Sequence, residues 1–249
     1  MQISGNTILI TGGTSGIGLE LMKALLPHDN TILICGRRED RLLEIEKAHA
    51  RVHTFACDVS KKAEREALYA WAVEHHPEVN MLVNNAGIQQ DIDFTRGVVA
   101  LMEREDEIEI NLTAPIHLCA LFTPHLMEKS HAAILNISSG LAIIPAAARP
   151  LYCATKSGLH IFTRCLREQL RDTKVEVYEA IPPAVISELN PESRAGKPTG
   201  HMMETDAYAK SVVEGLMAGK EEINGDYVES LNEATMAQVY QTFLDRTRS

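Results

Sequence analysis

A series of short apolar runs, each followed by a stretch of helical period, leaves this chain few folds. Thr7–Ile10, Thr31–Cys35, Val52–Ala56 and Met81–Val83 are mostly apolar and lack the strict alternation of a strand with one wet face. Such runs suit strands buried on both sides, as in parallel sheets covered by helices. Between them, Gly16–Leu26 reads as a helix stopped by Pro27, and Arg38–Ala48 carries Leu42, Leu43 and Ile45 at helical positions. Ser60 suits the N-cap of a helix that sets Ala63, Ala67, Leu68 and Trp71 on one side. Further on, Ile108–Met127 reads as a long helix despite Pro115, Ala132–Ile137 as a strand, and Leu151–Arg171 as a second long helix. Val175–Tyr178 begins a strand that ends at Pro182-Pro183. The fold expected is α/β: a single domain over residues 1–249, with a Rossmann-like, doubly wound parallel sheet and helices on both faces. Residues 188–203 break the pattern, being rich in Pro, Gly, Ser and charge. They follow a strand's C-terminal end, where open α/β sheets bind ligands, and are read as a substrate loop.

Composition narrows the class of partner. With 45% apolar residues the 249-residue chain can fill one large core, and a formal net charge of −10 argues against nucleic acid or an anionic membrane. Five cysteines without a C-x-x-C pair point to core packing, and ten histidines without H-E-x-x-H give no metal site. No basic leader or cleavage site opens the chain, and its apolar runs fall far short of the ~20 residues of a membrane span. The expected location is cytoplasmic.

The turn after the first strand is Thr11-Gly12-Gly13-Thr14-Ser15-Gly16-Ile17-Gly18. Glycines there let a backbone approach a pyrophosphate, which the following helix N-terminus attracts. Gly12, Thr14, Ser15, Gly16, Ile17 and Gly18 are therefore candidate cofactor contacts. At the end of the second strand, where NAD sites usually place a carboxylate for the ribose, stand Gly36, Arg37 and Arg38. Two guanidiniums suit a 2′-phosphate, so NADP(H) is the expected cofactor and NAD(H) the alternative.

Tyr152 and Lys156 stand four residues apart, which on a helix puts both side chains on one face. A nearby ammonium is expected to lower the phenol's pKa and let it exchange a proton with a carbonyl or hydroxyl. Ser139, beyond the strand ending at Ile137, could hold the reacting oxygen.

Assembled, these motifs resemble the short-chain dehydrogenase/reductase family over roughly Thr7–Ser187. Besides the glycine turn, the family's Asp-Val pair at the adenine matches Asp58-Val59, and its Asn-Asn-Ala-Gly motif matches Asn84-Asn85-Ala86-Gly87. Its catalytic Asn, Ser, Tyr and Lys match Asn111, Ser139, Tyr152 and Lys156. The resemblance implies NAD(P)-dependent interconversion of a carbonyl and an alcohol, with Tyr152 as general acid and base. It makes Lys156 a ligand of the nicotinamide ribose and Asn111 the anchor of a water leading to that lysine. It adds Asn85, Ala86, Gly87, Pro182, Val185 and Ser187 to the cofactor contacts. Two departures stand out: Pro183 replaces the family's glycine, and Ser187 its threonine. Leu141, Ile143, Ile144, Gln89 and Gln90 are candidate substrate walls, though the three apolar ones also suit packing or a dimer contact. Apolar residues on several sides of the two long helices (Leu118, Leu121 and Phe122; Ile161, Phe162 and Leu166) suggest a homodimer or homotetramer. The other class of reading is a nucleotide-sensing module without turnover. An intact Ser139, Tyr152 and Lys156 set favours the enzyme.

Overall fold

Alternation of side chains along each strand decides how the sheet is covered. The computed structural model describes residues 2–102, 104–189, 202–224 and 236–248. In β1 (Thr7–Thr11), Ile8 and Ile10 face one side and Leu9 the other, and all three are fully buried. β2 (Thr31–Gly36) repeats this with Ile32 and Ile34 against Leu33 and Cys35. Two cores result, one on each face. α1 (Gly16–Leu25), α2 (Glu39–Ala48) and α7 (Thr205–Met217) pack on the first. α3 (Lys62–His75), α5 (Ala114–Met127) and α6 (Pro150–Leu170) pack on the second.

With β3 (Val52–Ala56), β4 (Val79–Asn84), β5 (Ala132–Ile137), β6 (Val175–Ile181) and β7 (Glu222–Asn224), the sheet has seven parallel strands among the described residues. Their order is β3-β2-β1-β4-β5-β6-β7. The chain winds outward from β1 to β3, then crosses back to β4 and winds the other way. This reversal opens a crevice beyond the C-terminal ends of β1 and β4, the place where such sheets take ligands.

A buried polar bridge fixes the strands that frame the crevice. Asn84 at the end of β4 donates to Asn136 Oδ1 on β5 at 2.9 Å, and Asn136 donates to Thr163 Oγ1 on α6 at 2.9 Å. The elements that carry the Asn-Ala-Gly turn, Ser139 and Tyr152 are thereby held to one another.

The long helix expected from Ile108 to Met127 contains a π-helical turn at Glu109–Thr113 before α5 begins. The Ala114 N–H donates to the carbonyl of Glu109, five residues back. Pro115 explains this wide turn, because its ring cannot follow an ordinary α-turn and it has no N–H to give. Asn111 sits in the middle of it.

Beyond β6 the chain adds α7, β7 and α8 (Met236–Arg248), after a four-residue α4 (Val99–Met102) earlier on. The sequence reading did not assign these. In α7, Tyr208, Ala209, Val212, Val213 and Leu216 enter the core at helical spacing. Leu118, Phe122 and Leu166 also turn into the chain's own core, and Leu121 and Phe162 pack against it. Of the six side chains read as pairing surface, only Ile161 is largely exposed. Among the described residues, no helix is long and apolar enough to cross a membrane.

Candidate active site

The turns after β1 and β4 form the floor of the crevice, and they are stitched together. Thr11 Oγ1 accepts the N–H groups of Asn85 and Ala86, both at 3.0 Å. Asn85 Nδ2 returns bonds to the carbonyls of Thr11 at 2.8 Å and Gly12 at 3.1 Å. This contact is what two of the glycines permit. A Cβ on Gly12, whose φ is +67°, would lie 2.9 Å from Ala86 Cα. One on Gly18 would lie 2.4 Å from Asn85 Nδ2 and 2.6 Å from the Gly12 carbonyl oxygen. Gly16 differs: its φ is +55°, and among the described residues the only neighbour a Cβ would meet within 4 Å is Ser187 Cβ at 3.5 Å. Gly16 keeps the turn open toward the ligand side, while Gly12 and Gly18 let backbone and amide close up behind it.

A cleft of about 990 Å³ lies over this floor. Every site residue expected from the sequence lines it except Gly18 and Asn111, which stand behind its wall. Leu141, Ile144, Gln89 and Gln90 line it too, whereas Ile143 does not. The first turn of α1 has no acidic residue and no capping side chain, so its N–H groups are available to an anion. The Ser15 hydroxyl, at the N-cap position, accepts instead from Arg38 Nη2 at 2.7 Å, and Thr14 Oγ1 accepts from the same nitrogen at 2.9 Å. Arg38 is thus moored to the glycine turn. Arg37 turns away to Glu105, at 2.5 Å. Burial pushes the Asp58 carboxyl up, but the Ser60 hydroxyl and N–H, with Arg37 and Lys61, hold it below its ordinary range. A glycine-lined anion cradle, a moored guanidinium and a long cleft all fit a dinucleotide.

At the other end, α6 presents Tyr152 and Lys156 on its buried face, both 4% exposed. Lys156 Nζ lies 5.8 Å from the Tyr152 ring centroid and donates to the Ile137 carbonyl at 2.8 Å. Ser139, just beyond β5, accepts the Leu141 N–H at 3.1 Å and lines the same cleft as the Tyr152 phenol. Asn111 uses both ends of its amide on Ile88: Oδ1 accepts its N–H at 2.9 Å and Nδ2 donates to its carbonyl at 2.8 Å. The π-helical turn thereby pins the segment that follows Gly87.

The sequence reading expects a lowered phenol pKa, and the structure reverses that sign. Burial pushes Tyr152 up to about 12, against the smaller pull of Ser139, and the same burial brings Lys156 down to about 8. Each charged form loses water, and the ammonium directs a hydrogen bond to a backbone carbonyl.

Arg149 and Glu107 escaped the sequence reading, and Glu188 was read there only as the start of the substrate loop. Arg149, at the start of α6, lines the cleft and donates to Asp91 at 2.8 Å. Glu188, just past Ser187, pairs with Arg38 and Arg41. Glu107 is 1% exposed; its Oε1 accepts the Gln90 N–H at 2.9 Å, while Oε2 has no hydrogen-bond partner among the described residues. Burial raises Glu107 to about 7. Of the 188–203 loop, residues 190–201 lie outside the described residues. Val185, three residues before this loop, forms a parallel bridge with Met203 at its end. No group of three or more His, Cys, Asp or Glu is placed to hold a metal ion among the described residues.

The short chain dehydrogenase family model matches residues 6–198. The uncharacterised oxidoreductase DltE of Bacillus subtilis is 50% identical over 244 residues, 98% of this chain and 97% of that protein. A short chain dehydrogenase of Burkholderia cenocepacia, solved with NADP, superposes with a TM-score of 0.82 at 21% identity, covering 99% of both chains. A short chain dehydrogenase/reductase of Burkholderia phymatum, solved with NAD, gives 0.79 at 19% identity, over 100% of this chain and 98% of that one. The last two likenesses establish the fold.

The buried carboxyl makes stability depend on pH in a definite direction. A carboxyl raised by folding keeps a proton that the unfolded chain has released, so stability falls as pH rises from the ordinary value of 4.5 to about 7. Glu107→Gln keeps an acceptor for the Gln90 N–H and removes the titration. Its melting temperature relative to wild type should therefore rise from about pH 5 to about pH 8. A difference that stays constant over that range would contradict the burial account of Glu107.

Proposed function

The chain belongs to the short-chain dehydrogenase family of NAD(P)-dependent oxidoreductases acting on CH–OH and C=O groups, and on that premise we propose that Tyr152 is its general acid and base and NADP(H) its preferred cofactor. The observation that carries the first part is the grouping of phenol, Ser139 hydroxyl and Lys156 ammonium in one water-poor wall of the cleft. When bound, the nicotinamide supplies or accepts the hydride. The protein handles the proton. In reduction, Ser139 holds the substrate oxygen and Tyr152 gives it the phenol proton as the C–O⁻ charge develops. A phenol kept protonated by burial is ready for that direction at neutral pH. In oxidation the phenolate must form first, and the Lys156 charge, anchored by the Ile137 carbonyl, stabilises it there. Asn111 would hold the loop after Gly87 in position for both directions.

Two observations support the cofactor preference: no carboxylate stands at the end of β2, and Arg38 is moored on the glycine turn beside it. Arg38 therefore takes precedence over Arg37 as the ligand of a 2′-phosphate. Pro182, Pro183 and Val185 line the cleft in the segment where the family places the nicotinamide, so the wall there is more apolar than a Pro-Gly turn would make it.

Tyr152→Phe removes one oxygen and keeps the ring. Turnover should fall by a factor of about 10² or more, while the cofactor dissociation constant moves less than about twofold. Wild-type turnover by this variant on an authentic substrate would place the acid elsewhere. Titration by nicotinamide fluorescence should give tighter binding of NADPH than NADH, and Arg38→Asp should reverse the order. Tighter NADH binding by the wild type would contradict the preference.

A further inference from the structure

The arginines that suit a ribose 2′-phosphate already hold a carboxylate brought in from the far side of the cleft. Arg38 Nη1 donates to Glu188 Oε2 at 3.0 Å, while its Nη2 stays on Thr14 and Ser15. One turn further along α2, Arg41 Nη1 donates to both oxygens of Glu188, at 3.2 and 3.0 Å. These partners lie 150 and 147 residues apart in sequence. Glu188 comes from the chain leaving β6, immediately after Ser187, whose Cβ faces Gly16. This chain crosses from the catalytic end of the cleft, over the glycine turn, to the nucleotide end.

A carboxylate and a phosphate are the same kind of partner for a guanidinium: planar or tetrahedral oxyanions that accept from its forked N–H groups. They cannot both take the same donors, and they repel at short range. We infer that Glu188 is a specificity-determining residue that holds Arg38 and Arg41 against the 2′-phosphate of NADP(H), and so narrows the enzyme's discrimination between the two nicotinamide cofactors. This rests on the reading of Arg38 as the 2′-phosphate ligand.

The electrostatics agree. Hydrogen bonds from Arg38 and Arg41 hold the Glu188 carboxyl below its ordinary range, so it is ionised at neutral pH. The second guanidinium at the end of β2, Arg37, is paired in the same way with Glu105. The cationic end of the cleft is therefore neutralised from two sides, which reduces the attraction that consecutive arginines would otherwise exert on an extra phosphate.

The size of the effect follows from exposure. Side chains of Arg38, Arg41 and Glu188 are 40%, 39% and 57% exposed, so each pair is a solvent-screened one. Releasing two such pairs, together with the repulsion they would otherwise oppose, corresponds to roughly threefold to tenfold in affinity. An NADH ribose brings no phosphate to this spot and should register little.

The experiment titrates NADPH and NADH into wild type and Glu188→Gln by nicotinamide fluorescence, with thermal melts to establish that both are folded. Glu188 is exposed, so the variant should melt close to wild type. The expected result is a dissociation constant for NADPH about three to ten times lower in Glu188→Gln, with that for NADH changed less than about twofold. An equal shift for both cofactors, an unchanged NADPH constant, or a weakened NADH constant with NADPH unaffected would each overturn the inference. The last of these would make Glu188 a ligand of the NAD ribose. Each cofactor is compared with itself across the substitution. A wild type that prefers NADH would therefore contradict the cofactor reading and leave the test of Glu188 intact.

Discussion

Holding an ammonium out of water is the constraint on which the rest of the site depends. Lys156 is 4% exposed, and an ion so placed costs several kcal/mol unless its surroundings compensate. Part of the compensation is local: the Ile137 carbonyl, at the end of β5, accepts from Nζ at 2.8 Å. Part is longer in range, since the Glu179 and Glu107 carboxyls both favour the charged form of Lys156. Burial still outweighs them and leaves the lysine near 8. The same dry wall keeps the proton on Tyr152. One physical cause therefore keeps the phenol protonated and makes the phenolate costly without a nearby charge.

Keeping that wall dry needs a rigid frame, and the sequence supplies it with short polar side chains in buried places. Asn84, Asn136 and Thr163 tie β4, β5 and α6 together through two bonds of 2.9 Å. Thr11 and Asn85 lock the β1 and β4 turns across the floor. Asn111 holds Ile88 from a π-helical turn that Pro115 imposes. Removing one partner from such a bond leaves another buried group without its own, at a cost of about 1–3 kcal/mol. These bonds fix the elements that surround the cleft. Asn111 and Gly18, read as site residues from their motifs, do not line the cleft.

The strands and the glycine turn could be read from the chain because their physics is local. An apolar run has one way to satisfy its backbone and both faces at once, and Gly12 and Gly16 mark positive φ within a few residues of the strand end. What could not be read is tertiary. Glu188 meets Arg41 across 147 residues of sequence, and no local pattern announces that pair. Glu107 looks like any acidic residue in a charged stretch until Gln90 folds over it. Spacing placed Tyr152 and Lys156 on one helix face, but said nothing of their access to water, and water decides the sign of the phenol's shift. The short β7 has only three residues, and its apolar member, Ile223, gains meaning only beside Gly215, where a Cβ would meet it at 2.7 Å.

Direct titration of the phenol tests the central claim. With tyrosine labelled by ¹³C at Cζ, the Tyr152 resonance is identified by its loss in Tyr152→Phe and followed against pH in the cofactor-free protein. Desolvation predicts that it titrates above the free-tyrosine value of about 10, or does not titrate before the chain unfolds. A midpoint below that value would show that the Lys156 charge outweighs burial, and would contradict the account of a water-poor wall that keeps the proton on Tyr152.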